Sequence, residues 1–467
     1  MVQREFGMSM LERVYDASPI FFQNVMTTIS GFQRNRSRYG KAYWEHRTFL
    51  KKFDTWPLVR QQEYQLQTLH NFLKYAVQNS HFYKKLYEGI DLDSIHTVDD
   101  LIRLPIVDKE MLRSNIEEIV TIPRKGAVEG HTGGTTGKSL VVLGTKEDSM
   151  KRMAMLDHFK ARVGFEHRKM KRATFNGKHI VPPGQKRKVF WRYNAACRQM
   201  IFSSFFITEE NIPYYIEELE RFQPQAIDGF FMSMLDIANY IERKGIKHTI
   251  KPLAIFPTSE TLTPSGRELL ERVFQCKVYD QYASSEGAPF VTECPRQVLH
   301  MELASGVFEQ MDVRGEILVT SFTTHGTPLI RYRIGDRMVF ADSSRPCACG
   351  LSGPIVESIE GRSLDFLYTP EGAKINAGNV ANLLKNMPNA VIRAQFHQNR
   401  LDEITVLLEV DKATYKPDYD QMLLDEFRHK FGGRMQVNIQ HVIEIPREKS
   451  GKFRMIVNQI QESVISK

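Results

Sequence analysis

Between residues 61 and 90, Leu66, Leu69, Leu73, Ala76 and Val77 recur at helical spacing on one face, which predicts a helix. Asp99 and Asp100 open a short helical stretch that Pro105 ends. From about residue 125 to 340 the pattern alternates. Strand-like apolar runs (Leu140–Leu143, Leu253–Phe256, Lys277–Tyr279, Glu316–Thr320) are separated by longer helical segments such as Ile212–Phe222 and Ser233–Lys244. This alternation predicts a mixed α/β fold with a layered sheet. Beyond about residue 362 the pattern changes. Val391–Phe396, Ile404–Val410 and Met435–Ile445 read as strands. Tyr419–Lys430 reads as an amphipathic helix with Met422, Leu423 and Phe427 inward, stopped by Gly432 and Gly433. A small α+β C-terminal domain is expected, with its boundary near Gly361–Asp365. The expected division is a helical arm over 1–60, a large domain over 61–361 and a small domain over 362–467.

The 467 residues suffice for two to four domains, and 42% hydrophobic with 25% charged residues is an ordinary globular balance. A net charge of +8 suits anionic small substrates or acidic surfaces without a nucleic-acid footprint. Five Cys exclude a disulfide scaffold. No apolar run reaches the roughly 18 residues of a membrane span. The opening MVQREFGMSMLERVYD lacks a basic segment followed by an apolar one, so no signal peptide is read and a cytoplasmic location is expected. In the arm, Arg34, Arg36, Arg38 and Lys41 interleave with Phe32, Tyr39, Tyr43 and Trp44. That mixture suits an acidic membrane surface or RNA; a solvated helical arm is the plainer alternative.

The sharpest local signal is His131-Thr132-Gly133-Gly134-Thr135-Thr136-Gly137-Lys138-Ser139. Its glycines let backbone N–H groups approach an anion, and its threonines add hydroxyl donors. A Walker loop requires Gly five residues before the Gly of Gly-Lys-Ser, and Thr132 stands there. Leu140–Leu143 follows as a strand, so strand–loop–strand is expected instead of a helix N-terminus.

This loop resembles the nucleotide loop of adenylate-forming enzymes, Thr-Ser-Gly-Thr-Thr-Gly-Lys-Pro, with Gly133 for Ser and Ser139 for Pro. Further resemblances follow in the family's order. Tyr282-Ala283-Ser284-Ser285-Glu286 resembles Tyr-Gly-x-Thr-Glu, and Arg331-Tyr332-Arg333-Ile334-Gly335-Asp336 resembles Tyr-Arg-Thr-Gly-Asp. Gly361-Arg362-Ser363-Leu364-Asp365 resembles the hinge Gly-Arg-x-Asp-Asp. Pro446-Arg447-Glu448-Lys449-Ser450-Gly451-Lys452 resembles Pro-Arg-x-x-Ser-Gly-Lys. A narrower resemblance is to the phenylacetate–CoA ligase-like branch, including CapK-type capsular polysaccharide proteins. It rests on Tyr75-Ala76 with Ser80, Phe82 and Tyr83, on Leu104–Lys109, and on Ser259–Leu262.

The resemblance implies an enzyme that joins a small carboxylic acid to the α-phosphate of ATP, releases pyrophosphate, and passes the acyl group to a thiol or amine. CoA, a carrier protein or an amino sugar are the acceptors considered. It implies that Thr132, Gly133, Gly134, Thr135, Thr136, Gly137 and Lys138 cradle phosphates, that Ser285 contacts phosphate and that Glu286 binds Mg²⁺. Tyr282, Asp336 and Arg362 belong to the nucleotide site, Asp336 accepting from the ribose hydroxyls. Lys452 would bridge the carboxylate and the α-phosphate, delivered by a mobile small domain. Leu364 departs from the family, standing where the pivoting Asp is usual. A non-catalytic nucleotide-binding scaffold in polysaccharide assembly is the alternative.

Cys294, His300, Cys347 and Cys349 make a Cys₃His set suited to structural zinc, although Cys-x-Cys is tighter than the usual spacing. An acyl pocket is expected from Phe202, Phe205, Phe206, Phe230, Phe231, Met232 and Met234, with ordinary core as the alternative. A basic rim of Lys169, Lys171, Arg172, Lys186, Arg187, Lys188 and Arg192 is expected to attract acceptor phosphates.

Overall fold

The computed structural model describes residues 10–460 except 133–139, 183, 209, 261, 312–314, 343–346, 361–365, 377–378, 381, 385–386, 388–389, 411, 413–414, 444 and 446–454. The phosphate loop from Gly133 to Ser139, the hinge with Arg362 and Leu364, and Lys452 therefore lie outside the described residues.

Helices α1 (Met10–Ala17), α2 (Ile20–Arg38), α3 (Lys41–Phe53) and α4 (Leu58–Asn79) open the chain. Leu69, Leu73 and Ala76 of α4 are buried in the largest core, and Leu66 and Val77 pack against it. The helix expected over 61–90 is broken. Ser80 is extended and its hydroxyl accepts from Tyr83 N at 3.4 Å, starting a separate helix His81–Leu86.

Strands β1 (Val128–Thr132) and β2 (Leu140–Gly144) form an antiparallel hairpin. Strands β3 (Arg172–Asn176), β4 (Trp191–Asn194), β5 (Gln199–Ser203), β6 (Ala226–Phe230), β7 (Ala254–Thr258) and β8 (Lys277–Val278) form a sheet in the order β4-β5-β3-β6-β7-β8. All neighbours in it are parallel except β4 with β5. Crossover helices Ile212–Phe222, Phe231–Lys244 and Pro264–Phe274 cover it, as parallel strands require.

Phe202, Phe231 and Met234, expected in an acyl pocket, are core residues of this layer. The basic rim also fails at two positions. Arg192 is fully buried, bonding Gln23 Oε1 at 2.6 Å and Gln185 Oε1 at 2.5 Å. Arg172 bonds the buried Asp228 at 3.1 Å, beside Lys160 at 2.7 Å. Charges adjacent in sequence alternate between the two faces of a strand, so a local cluster does not define a surface.

A seven-stranded antiparallel sheet follows: β9 (Gln281–Tyr282), β10 (Val291–Glu293), β11 (Leu299–Met301), β12 (Gly306–Gln310), β13 (Glu316–Ser321), β14 (Tyr332–Phe340) and β15 (Ile355–Glu360). Its order is β12-β13-β14-β15-β11-β10-β9. The two edge strands nevertheless meet: the Tyr282 ring on β9 lies 6.1 Å from that of Phe308 on β12. The sheet is therefore curled toward a barrel, which protects its edges.

The C-terminal part carries the hairpin β16 (Phe366–Tyr368) and β17 (Lys374–Asn376). A second sheet has β18 (Val391–Arg400), β19 (Glu403–Val410), β20 (Gln436–Val442) and β21 (Ile456–Asn458) in the order β20-β19-β18-β21. Helix Asp418–Phe431 buries Leu423 and Phe427 against Phe396 and Val406, with Met422 packed alongside. It stops at Gly432, whose φ of +81° a side chain rarely adopts. Phe205 of the large domain joins this core, its ring 6.0 Å from Phe431.

A buried charge network fixes α3 to helix Lys146–Arg162. Arg162 Nη2 donates to Asp54 Oδ1 at 2.6 Å and to Glu302 Oε2 at 3.1 Å, and His158 Nε2 lies 2.8 Å from Asp54 Oδ2. Burial opposes ionisation of Asp54, but hydrogen bonds with His158 and Arg162 outweigh it and hold its pKa at about 2.

Candidate nucleotide site and cysteine cluster

In the β1–β2 hairpin Thr132 pairs with Leu140, so a closed antiparallel strand pair flanks the motif on both sides. A strand follows the motif, as expected, and no helix starts at Leu140. Gly130 lets this stem approach the next motif. A Cβ there would lie 2.9 Å from the Val142 methyl and 3.2 Å from the Ser285 carbonyl oxygen. The hairpin is also held from behind, where Leu143 N donates to Thr327 Oγ1 at 2.8 Å.

Residues 282–288 form the second wall. Glu286 is half-buried, and the Ser285 hydroxyl donates to its Oε2 at 3.3 Å. Gly287 has a φ of +108°, and a Cβ on it would meet Thr324 Cγ2 at 2.6 Å. Arg152, from helix Lys146–Arg162, clamps this turn. Its Nη1 donates to the Gly287 and Ala288 carbonyls, both at 2.8 Å, and to Thr323 Oγ1 at 3.2 Å. Its guanidinium carbon lies 4.5 Å from the centre of the Phe290 ring. Burial pulls the Arg152 pKa down to about 10, which leaves it a cation at neutral pH. Nothing in the local sequence singles out Arg152, because its partners are more than a hundred residues away.

Asp336 reaches the site through an irregularity of β14. Opposite β13, Glu316 pairs with Arg337 and Leu318 with Arg333, so β14 carries extra residues there. Gly335, at φ +83°, lies in that bulge. The result aims Asp336 at Tyr282, whose hydroxyl donates to Oδ2 at 2.8 Å. Just upstream, Arg331 sits at φ +44° without being glycine, and its guanidinium donates through Nε to Glu309 Oε1 at 2.9 Å and through Nη1 to the Leu104 carbonyl at 2.5 Å. Arg333 N donates to Val107 O at 2.8 Å. Leu104–Lys109 and Arg331–Asp336, singled out separately in the sequence, are thus adjacent.

The cysteine cluster stands at the β10–β11 turn. Cys294 follows β10, His300 lies on β11, and Cys347 and Cys349 precede β15. One ligand atom from each of the four lies within 4.8 Å of all the others. Cys294 Sγ and Cys347 Sγ are 3.9 Å apart, and Cys349 Sγ is 3.5 Å from His300 Nε2. Tetrahedral zinc with ordinary bond lengths sets S···S at about 3.8 Å and S···N at about 3.6 Å. His300 Nδ1 lies 2.7 Å from the Gly353 carbonyl, which fixes the tautomer with Nε2 facing the sulfurs. Arg296 N and Leu351 N donate to Cys294 Sγ and Cys349 Sγ, both at 3.3 Å. Burial raises both thiols, taking Cys349 up to about 12.

The basic and aromatic arm singled out in the sequence includes α2. Its inner face is polar or small: Gln23, Gly31 and Asn35 are buried, and Asn35 Nδ2 donates to Ala196 O at 3.0 Å. Its outer face exposes Phe21 (70%), Phe22, Val25, Ile29 and Phe32 (61%). Arg36, exposed and four residues beyond Phe32, continues that outer face. No described helix is long and apolar enough to cross a membrane.

The CapK C-terminal domain family matches residues 367–459. Protein CapK of Staphylococcus aureus is 36% identical over 456 residues, covering 97% of this chain and all of that protein. A phenylacetate-coenzyme A ligase of Pseudomonas putida is 26% identical over 69% of this chain and 75% of its own length. Among solved structures, 2-hydroxyisobutyryl-CoA ligase in the postadenylation state with R3-HIB-AMP superposes with a TM-score of 0.56 at 16% identity, over 89% of this chain and 93% of that one. The same ligase in its thioesterification state gives 0.56 at 17% identity, over 87% and 91%. The fold is that of the adenylate-forming ligases, with a separate C-terminal domain. With near-complete coverage at 36% identity and a matching C-terminal domain, the chain belongs to the CapK family, relatives of the phenylacetate–coenzyme A ligases.

Proposed function

We propose that this chain activates a small carboxylic acid with ATP and transfers the acyl group to a thiol or amine acceptor, in polysaccharide biosynthesis. In the first step a carboxylate oxygen attacks the α-phosphate, giving an acyl-adenylate and releasing pyrophosphate. In the second, the acceptor's sulfur or nitrogen takes the acyl carbon and AMP leaves. CoA, a carrier protein and an amino sugar fit the second step equally.

One juxtaposition carries the reading. The stem of the Gly/Thr-rich loop packs through Gly130 on the Ser285 carbonyl, and Tyr282 of that same motif bonds Asp336. Segments that are remote in sequence converge where a nucleotide would need phosphate donors at one end and a ribose acceptor at the other. In this reading Thr132 through Lys138 cradle phosphates, Ser285 assists, and Asp336 with Arg362 holds the ribose side. The Glu286 carboxylate offers the hard oxygen ligand that Mg²⁺ prefers, and the ion would neutralise phosphate charge. Lys452 would bridge the reacting carboxylate and phosphate. The segment that carries it, 446–454, joins β20 to β21 at opposite edges of the C-terminal sheet. We set the domain limits at 1–60, 61–361 and 362–467, in keeping with a family match that begins at residue 367.

ATP–pyrophosphate exchange with a panel of carboxylic acids tests the proposal. Acid-dependent exchange that Lys452→Ala abolishes is expected. Folded protein with Mg²⁺ that exchanges with no acid, yet binds ATP, would instead support a nucleotide-binding scaffold, an alternative for which Leu364, in place of the usual pivot residue, leaves room.

The donor set and spacings at Cys294, His300, Cys347 and Cys349 fit a closed structural zinc site, and we assign zinc there. It would tie the β10–β11 turn to the segment before β15. The exposed apolar face of α2, extended by Arg36, supports peripheral contact with an anionic membrane surface. Use of ATP would put the protein on the cytoplasmic side of that surface.

A further inference from the structure

We propose that Asp16, His179 and His429 bind a divalent cation of the Zn²⁺ class, which clasps the N-terminal arm, the large domain and the small C-terminal domain together. The three ligands come from three parts of the molecule. Asp16 is in the last turn of α1, His179 is in the segment after β3, and His429 is in the last turn of helix Asp418–Phe431. Their ligand atoms all lie within 4.8 Å of one another.

The local geometry is poorly explained without a cation. The rings of His179 and His429 have centroids 3.7 Å apart at 47°, closer than the roughly 4.5–7 Å usual for ring pairs. His429 Nε2 is buried with no hydrogen-bond partner, a costly state for an imidazole nitrogen. His179 Nε2 lies 2.9 and 3.1 Å from the two Asp16 carboxylate oxygens. Ligand atoms around tetrahedral zinc stand about 3.4 Å apart for N and O donors, so small shifts would seat an ion. Two imidazoles and a carboxylate suit zinc or a similar borderline metal and are a poor match for Mg²⁺ or Ca²⁺. Glu12 and Glu426 add negative potential at His429. Three protein ligands leave one position for water.

The inference rests on side-chain geometry alone and stands whether or not the chain adenylates an acid. Bound metal would restrain the small domain against the large one, so metal availability would set how freely that domain moves.

The test is zinc stoichiometry of the full-length protein after dialysis at low micromolar free Zn²⁺. Wild type is expected to hold one equivalent more than His429→Ala and one more than His179→Ala, each checked as folded by circular dichroism. The difference counts only this site, so it is independent of zinc at the cysteines. Zn²⁺ should also raise the unfolding temperature of wild type more than that of either variant. Asp16→Asn, on a third element, should weaken uptake if one histidine variant misfolds. Equal stoichiometry in wild type and the folded variants would overturn the proposal.

Discussion

The Tyr282 hydroxyl donates to Asp336 Oδ2 at 2.8 Å although their strands, β9 and β14, are separated by three others in the sheet order. On a flat sheet four strand spacings would put them about 19 Å apart. Only the curl of the sheet and the bulge at Gly335 bring them together. If Asp336 serves the ribose, Tyr282→Phe leaves its carboxylate without one charge-assisted partner, worth about 1.5–3 kcal/mol. The expected result is a rise in KM for ATP of about tenfold or more with a smaller change in kcat, and Asp336→Ala should be worse. Unchanged KM in both variants would remove Asp336 from the nucleotide site.

Arg152 is a positioning residue. Its guanidinium fork holds the carbonyls of Gly287 and Ala288 and the Thr323 hydroxyl at once. Arg152→Lys keeps the charge but loses the fork, so exchange activity should fall while the helix content is unchanged. Arg152→Met should in addition cost about 2 kcal/mol in denaturant unfolding, because buried acceptors lose their donor. If kcat and KM of both variants match wild type, the clamp has no bearing on Glu286.

At the cysteine cluster, Cys349→Ala should release the metal from purified protein and lower the unfolding temperature. Chelation should lower the unfolding temperature of wild type by more than it lowers that of the variant. The decisive comparison is the Sγ–Nε2 contact of Cys349 and His300 at 3.5 Å: His300→Ala should mimic Cys349→Ala. Metal analysis that finds no zinc in wild type would exclude the site.

Asp54 predicts an acid-sensitive arm. Its pKa is held at about 2 in the folded chain, below the unfolded value of about 3.9. A depressed carboxylate contributes stability that is complete above the unfolded pKa and is lost as pH falls through the folded one. About 2 kcal/mol should therefore disappear between roughly pH 4 and pH 2. Asp54→Asn should lower stability at neutral pH and flatten that acid limb; urea melts across the range would show it, and parallel curves for both proteins would refute it.

Ile29→Glu together with Phe32→Glu should abolish flotation with liposomes rich in anionic lipid, while leaving the fold intact, because both side chains point outward. Flotation unchanged by the pair, or independent of anionic lipid, would exclude α2 as the contact.

What was legible from sequence follows contact range. The strands around Leu140–Leu143 and Glu316–Thr320, helix Ile212–Phe222 and the inward Leu423 and Phe427 are set by local periodicity, and they appear as expected. The four zinc-type ligands were legible because few cysteines were available to choose from. Ser80 broke an otherwise continuous helix because its hydroxyl caps the next one. Arg192 and Phe202 are both buried because sheet layering, not composition, decides which face is covered. Arg152 and the meeting of Asp16 with His179 at a separation of 163 residues carry no local signal at all.

The pairing of Thr132 with Leu140 has an evolutionary consequence. The strand pair closes directly above Gly130, whose bare backbone faces the Ser285 carbonyl. Any side chain there would wedge the hairpin away from that carbonyl, so relatives should keep glycine at this position even where the motif above it departs from the usual sequence, as Gly133 and Ser139 do.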